Sequence, residues 1–241
     1  MIQAGMDVVR VNFSHGTPDD HIQRAGEVRN RARAHGHQVG VLADLQGPKI
    51  RIERFSEGRV HLEKDDHFIL DAGMPADAGN AERVGITYKD LPGDVNRGDT
   101  LLLDDGLLVL WVEEVTGSEV HCRVMVGGYL GNSKGINRLG GGLSAKALTD
   151  KDLEDIKVAA EMDADYVAIS FPRNAEDIHK ARELLREAGG HGGIVAKIER
   201  AEALDAMEEI IEAADVVMIA RGDLGVEIGD AELPAVQKRI I

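Results

Sequence analysis

The chain has 241 residues, with 28 Lys and Arg against 43 Asp and Glu, a formal net charge of −15. Such an acidic balance argues against a general nucleic-acid binder, whose phosphate contacts need clustered cations, and leaves room for a small anion in a local basic pocket. Hydrophobic residues at 43% and charged residues at 29% exclude disorder of the whole chain, and the lone Cys122 excludes an internal disulfide, so a reducing cytoplasm is the expected setting.

The longest apolar run, residues 107–112, falls far short of the ~18–20 residues of a membrane span. No basic stretch followed by an apolar one opens the chain, so neither a secretory signal nor a membrane partner is expected. Residues 7–13 (DVVRVNF) read as a buried strand. Thr17, Pro18, Asp19 and Asp20 then look like a helix start, and that helix runs to about Ala34 with Gly36 as its stop. Residues 39–44 (VGVLAD) are the next strand.

From about Ile50 to Asn137 the helical period is lost. Short alternating segments at 59–62, 67–70, 100–103, 107–112 and 120–126 are punctuated by Gly, Asp and Asn. This is the pattern of a small antiparallel β domain, inserted into the sequence of another domain. Alternation of strand and helix then returns. Thr149 is placed to cap a helix with Leu153, Ile156 and Ala160 on one face, and residues 166–171 (YVAISF) form a strand. Asn174 caps a helix with Ile178, Ala181, Leu185 and Ala188 near one face, stopped by Gly189 and Gly190. Strand 194–198, helix 201–214 and strand 216–220 complete the reading.

Without the insertion, five strand–helix units remain, the mark of a parallel sheet buried on both faces. A doubly wound sheet usually carries a Gly-rich phosphate turn after its first strand, and residues 12–16 (NFSHG) do not form one. An incomplete (β/α)8 barrel is therefore favoured. Active sites of barrel enzymes lie at the C-terminal ends of the strands. Those ends here carry Arg10, Asn12, Ser14 and His15; Asp44, Lys49 and Arg51; Ser170 and Arg173; Lys197 and Glu199; and Arg221, Gly222 and Asp223.

Each has a bland reading beside its functional one. Glu199 and Asp223 offer the paired hard oxygens that suit Mg²⁺. On spacing alone, a salt-bridged pair at a helix start is the favoured alternative. Lys197 sits two residues before Glu199 on one side of a strand. It is either a cation aimed at a transferring phosphoryl group or simply the partner of Glu199. Arg221–Gly222–Asp223–Leu224–Gly225 reads as a strand-to-helix turn whose glycines let backbone N–H groups approach an anion, or as an ordinary tight turn. Arg10 and Arg51 are phosphate clamps or surface arginines. Arg138 with Gly140, Gly141 and Gly142 is a joint where the insertion ends, and Cys122 is a packing residue.

Arg10 with VNFSHG (11–16), DLQGPKIR (44–51), KGIN (134–137), KIE (197–199) and ARGDLG (220–225) together resemble pyruvate kinase, in order over the whole chain. LADLQGPKIR and NRLGGGLSAKALT resemble the type II bacterial enzymes most. The resemblance implies a partial TIM (β/α)8 barrel with a small inserted β-barrel-like lid: barrel A domain over 1–50, lid B domain over 51–137, barrel again over 138–241. It implies phosphoryl transfer from phosphoenolpyruvate to ADP, giving pyruvate and ATP, in a cytoplasmic parent enzyme that is a homotetramer. The five strands are then family strands two to six. The first strand, the last two and the C-terminal domain are not represented, so these residues alone are expected to be inactive.

By the same resemblance, Lys197 stabilises the transferring group, and Arg10, Lys197 and Gly222 contact substrate. Arg51, Lys134 and His15 hold nucleotide phosphates, and Glu199 and Asp223 bind Mg²⁺, or Mn²⁺ in its place. Asn12, Ser14, Asp44 and Leu45 match a K⁺ site. Potassium-dependent relatives carry DTKGPE where this chain has Asp44–Leu45–Gln46–Gly47–Pro48–Lys49, so the Lys49 ammonium is expected to replace K⁺. Two other readings remain: a Mg²⁺-dependent barrel lyase acting on pyruvate enolate, and an inactive binding module. Lys134 in the insertion argues against the lyase, which needs no nucleotide lid.

Overall fold

The computed structural model describes residues 1–241. In chain order the strands are β1 (Val8–Asn12), β2 (Gly40–Asp44), β3 (Arg59–Leu62), β4 (His67–Asp71), β5 (Arg83–Gly85), β6 (Thr100–Leu103), β7 (Leu108–Thr116), β8 (Glu119–Val126), β9 (Gly128–Gly131), β10 (Ile136–Arg138), β11 (Tyr166–Ile169), β12 (Gly193–Ile198) and β13 (Val216–Ile219). The helices are α1 (Pro18–Ala34), α2 (Leu91–Asp94), α3 (Asp150–Glu161), α4 (Ala175–Glu187), α5 (Glu202–Asp205), α6 (Met207–Ala213), α7 (Arg221–Ile228) and α8 (Leu233–Ile240). Two compact units result, one from Met1–Pro48 with Lys146–Ala220, the other from Lys49–Ala145 with Arg221–Ile241.

The first unit is mixed α/β, built on a parallel sheet in the order β1-β2-β11-β12-β13. Its strands are the five expected from the sequence. Side chains alternate between sheet faces along each strand. Val11, Val41, Ala43, Val167, Ile169, Ile194, Ala196 and Ile198 are all buried on one face. Leu42, Ala168 and Val195 pack together on the other, with Tyr166 and Met218 against them. That second face also carries the polar strand ends, because Asn12 pairs in register with Asp44, and Lys197 with Met218.

Helix starts are set by their caps. Thr17 and Asp20 form a capping box on α1, with Pro18 in its first turn. Thr149 and Asp152 form the same box on α3, and Asn174 accepts from the Asp177 N–H on α4. The inward face of α3 differs from the expected one. Asp152, Asp155, Ile156 and Ala159 are buried, whereas Leu153 is exposed. Capping turns Asp152 inward, where it accepts a second hydrogen bond from the Gly47 N–H at 3.1 Å. Ala188 is likewise exposed rather than on the α4 face. The single helix expected over 201–214 is two short ones, α5 and α6, broken at Ala206 with φ −98° and ψ 15°.

The second unit holds a six-stranded sheet in the order β10-β6-β7-β8-β4-β5 and a two-stranded sheet of β3 and β9. Pairing is antiparallel except between β4 and β5, which is parallel. Sequence reading missed β5, β9 and β10, which have three or four residues each and are too short to show alternation. An apolar core runs from Ile50 and Ile52 through Phe68, Leu70, Leu101, Leu110, Val112 and Val124 to Leu143. Residues 221–225 are the opening of α7 rather than a turn. Helix α7 is tied to the end of β10, where Asn137 Nδ2 donates to Glu227 Oε1 at 3.2 Å and the Gly140 N–H donates to the Glu227 carbonyl at 3.0 Å.

Candidate active site

Within the first unit, three strand ends converge on one ammonium. Lys197 Nζ lies 2.9 Å from Glu199 Oε1, 3.1 Å from Asp44 Oδ1 and 2.8 Å from Ser170 Oγ. The lysine side chain is only 11% exposed. Burial pulls its pKa down, but the Glu199 and Asp44 carboxylates outweigh that loss, and the net shift is upward. The ammonium therefore stays charged in a site nearly closed to water.

Asp44 bridges two cations. Its Oδ2 accepts from Arg10 Nε at 2.5 Å, while its Oδ1 faces Lys197. Arg10 is 56% exposed at the side chain, so its guanidinium is anchored at one edge and open to an anion at the other. Glu199 is fixed from the opposite side, since the Phe171 N–H donates to its Oε2 at 3.0 Å. Phe171 adopts φ 57°, a left-handed conformation uncommon for an aromatic residue. Backbone strain of this kind tends to persist where the surroundings over-determine it, as in an active site.

The residues matched to a K⁺ site are also in this unit, and the structure engages an oxygen of Asn12, Asp44 and Leu45 otherwise. Asn12 Oδ1 accepts from the Ser14 N–H at 3.0 Å. The Leu45 carbonyl accepts from Ser170 Oγ at 2.6 Å. Asp44 is neutralised by Arg10 and Lys197. His15 is exposed, with its N–H on the Asn12 carbonyl. Arg173 is tied to Asp177 at the start of its own helix, which is its bland reading.

In the second unit, Lys49 Nζ is 3.3 Å from Asp223 Oδ1 in the first turn of α7. Gly222 is exposed, and a Cβ there would meet nothing within 4 Å, so the space beside its backbone is open. The segments that carry Arg51 and Lys134 are joined by a bridge between Arg51 and Gly135. The Arg51 guanidinium donates to the Ser133 carbonyl at 2.8 Å, and Lys134 pairs with Asp104 at 2.8 Å.

Glu199 belongs to the first unit and Asp223 to the second. Both are hard oxygen donors. No group of three or more His, Cys, Asp or Glu side chains is gathered for a metal. Mg²⁺ needs no such group, because it commonly takes one or two carboxylates and completes its shell with water and substrate oxygens. The donor chemistry of the two residues therefore fits the ion.

A family model described as "Pyruvate kinase, barrel domain" matches residues 1–241. The chain belongs to the pyruvate kinase family. It is 57% identical over 244 residues to "Pyruvate kinase II" of Salmonella typhimurium, covering 100% of this chain and 51% of that protein. It is 56% identical over the same length to "Pyruvate kinase" of Haemophilus influenzae, with the same coverage. The pyruvate kinase of Mycobacterium tuberculosis is 45% identical over 241 residues, again 51% of its length. The chain thus spans about half the length of the curated relatives it matches. No helix is long and apolar enough to cross a membrane.

Sequence reading placed Ser170 at a strand end but gave it no role, and it missed Asp152 altogether. The Thr-x-x-Asp spacing of the α3 cap was the available signal for Asp152. Nothing in the sequence signalled that Ser170 would stand between a lysine and a carbonyl.

Proposed function

We propose that the protein carrying this chain transfers the phosphoryl group of phosphoenolpyruvate to ADP, giving pyruvate and ATP in the last step of glycolysis. The observation that carries the reading is the buried Lys197 ammonium held by Asp44 and Glu199, with the half-open Arg10 guanidinium beside it, in a chain of the pyruvate kinase family. Phosphoryl transfer needs little covalent help from a protein. It needs positioning and fixed positive charge where negative charge builds.

In this reading Arg10 binds the substrate phosphate, and the Gly222 N–H meets the substrate carboxylate. Lys197 faces the transferring phosphoryl group and the oxygen it leaves. Arg51 and Lys134, with His15, hold the phosphates of ADP. Glu199 and Asp223 would hold Mg²⁺, or Mn²⁺ in its place, and the bound ion supplies neutralising charge to phosphoryl oxygens. Residues 1–50 and 138–241 act as parts of a TIM barrel, and 51–137 as a lid that closes on nucleotide. The setting is the cytoplasm, and the assembly a homotetramer. Arg51 and Lys134, on joined segments of the inserted β unit, favour a nucleotide substrate over lyase chemistry.

K⁺ is not required in this reading. The Lys49 ammonium supplies a fixed charge in its place, and Asp44 and the Leu45 carbonyl are already occupied by protein donors. The full-length protein should phosphorylate ADP from phosphoenolpyruvate in a coupled assay with Mg²⁺ alone. Carbon–carbon bond cleavage without ADP phosphorylation would overturn the kinase reading in favour of a lyase, and neither activity would favour a binding module. Replacing K⁺ by tetramethylammonium should leave the rate unchanged, and Lys49→Glu should create a K⁺ requirement. A ~100-fold fall on replacement, about 2.7 kcal/mol in the barrier, would show that Lys49 does not substitute for the ion.

A further inference from the structure

A lysine ammonium has three N–H donors. In this chain three oxygens lie within 3.1 Å of the Lys197 ammonium: Glu199 Oε1, Asp44 Oδ1 and Ser170 Oγ. The acceptors are unequal. Two are carboxylates, whose charge-assisted bonds are roughly twice as strong as neutral ones. The third is a neutral hydroxyl. For Lys197 to turn toward a phosphoryl oxygen it gives up one of these contacts, and the weakest acceptor gives way first.

The direction of the Ser170 hydroxyl is fixed by its other neighbour. Ser170 Oγ lies 2.6 Å from the Leu45 carbonyl, which can only accept, so the serine proton points there and its lone pairs face Lys197. The Leu45 peptide is itself pinned, because its N–H donates to the Ala168 carbonyl at 3.1 Å. Ser170 is 1% exposed. It has no slack toward Gly47: a Cβ on that glycine would sit 2.7 Å from Ser170 Cβ. The next residue, Phe171, uses its N–H to fix Glu199. One two-residue segment therefore orients both the lysine and one of its carboxylates.

We propose that Ser170 is a positioning residue for Lys197: its hydroxyl holds one ammonium donor in the resting site and yields that donor to the transferring phosphoryl group. This rests on the phosphoryl-transfer reading above. When the donor leaves, the hydroxyl keeps its bond to Leu45, so the exchange leaves no buried donor unpaired. Without the hydroxyl, the ammonium is free to settle toward the two carboxylates, away from substrate.

The test uses the full-length protein with Ser170→Ala and Ser170→Cys, beside Lys197→Met. Alanine removes the hydroxyl and its volume; cysteine restores the volume with a weak hydrogen-bonding group. Both serine variants should lose about tenfold in kcat, with KM for phosphoenolpyruvate changed less than about twofold. Tenfold corresponds to about 1.4 kcal/mol. A Ser170→Cys enzyme with unchanged kcat would overturn the proposal, whatever alanine does, because packing alone would then explain the serine. If Lys197→Met is inactive while both serine variants turn over normally, the Ser170 assignment fails and the kinase reading stands. If Lys197→Met keeps its kcat, the kinase reading itself fails.

Discussion

The two units of this chain differ in how many polar groups they bury. In the second, the core from Ile50 to Leu143 is a cluster of apolar side chains, and Asp71 and Glu227 are the unit's only buried charged groups. Its ion pairs, such as Arg83 with Glu119 at 2.7 Å and Arg123 with Glu113 at 2.9 Å, stand at the rim with both partners partly exposed. Even its buried thiol is inert: burial, and then Glu113, pushes the Cys122 pKa up to about 12. In the first unit, Asp44, Asp152, Ser170, Lys197 and Glu199 are all buried. Burying charge costs free energy unless every group is paired. Concentrating such groups at one end of a parallel sheet weakens the unit as a scaffold and gives it a site. The β unit buries only Asp71 and Glu227 in this way.

The largest effects should come from the buried charges. Lys197→Met leaves Asp44 and Glu199 facing each other without their cation. In the full-length enzyme kcat should fall by at least ~100-fold, about 2.7 kcal/mol, with a smaller change in KM, since the charge acts mostly in the transition state. Breaking a buried pair should also lower unfolding stability by about 3–5 kcal/mol. In the second unit, Phe68→Ala opens a cavity beneath β4 and should lower stability by a similar ~3–5 kcal/mol. The contrast lies in what accompanies the loss: once folded, the Phe68 variant should keep its kcat. A Phe68 variant with a Lys197-like kcat defect would erase the distinction between core and site.

Next in size is the matched pair Asp152→Ala and Glu119→Ala. Asp152 caps α3 through the Thr149 N–H and hydroxyl and also accepts from the buried Gly47 N–H. Its removal should cost about 2 kcal/mol by chemical denaturation, combining a lost cap with an unpaired donor. Glu119 at the rim should cost no more than about 1 kcal/mol. Equal losses would mean that the two units treat their carboxylates alike.

Much of this arrangement was legible in the sequence. The five parallel strands were visible as apolar runs between caps, because a strand buried on both faces leaves a mark that neighbours cannot disguise. Thr17, Thr149 and Asn174 marked their helix starts for the same local reason. The KIE triplet put Lys197 and Glu199 on one side of a strand. What stayed hidden depended on contacts distant in sequence. Asp44 lies 153 positions before Lys197, so no local period shows that it holds both Lys197 and Arg10. The inward turn of Asp152 required Gly47 to be opposite it. Strands β5 and β10 exist because longer neighbours offer them an edge, and β9 because β3 pairs with it over its whole length. Residues 221–225 contain two glycines, yet the helix forms through them because Leu224 is fully buried and Glu227 is tied to β10.

The smallest effect expected is a pH dependence confined to the first unit. His21 on α1 is 2% exposed and stacks on Phe13 with centroids 4.2 Å apart. Its Nδ1 has no hydrogen-bond partner. Burial pushes its pKa below the ordinary 6.5. Arg24 adds to that shift and Lys151 adds a little more, while Asp155 and Asp20 oppose it. A histidine whose folded pKa is depressed contributes stability that is fully present above the unfolded value. That stability is lost as pH falls toward the folded value, because the unfolded chain takes up the proton first. Asp155, raised chiefly by burial, has the opposite sign: it binds its proton more readily when folded, so acid favours the fold through that group. The two must be separated by comparison. His21→Phe keeps an aromatic ring against Phe13 and removes the titrating group. Its unfolding free energy relative to the parent should be flat above pH 7 and rise in favour of the variant as pH drops below 6.5. The slope cannot exceed that of one proton, about 1.4 kcal/mol per pH unit. Parallel stability curves across that range would mean that the buried ring accepts its proton within the fold, and that acid does not act on the first unit through His21.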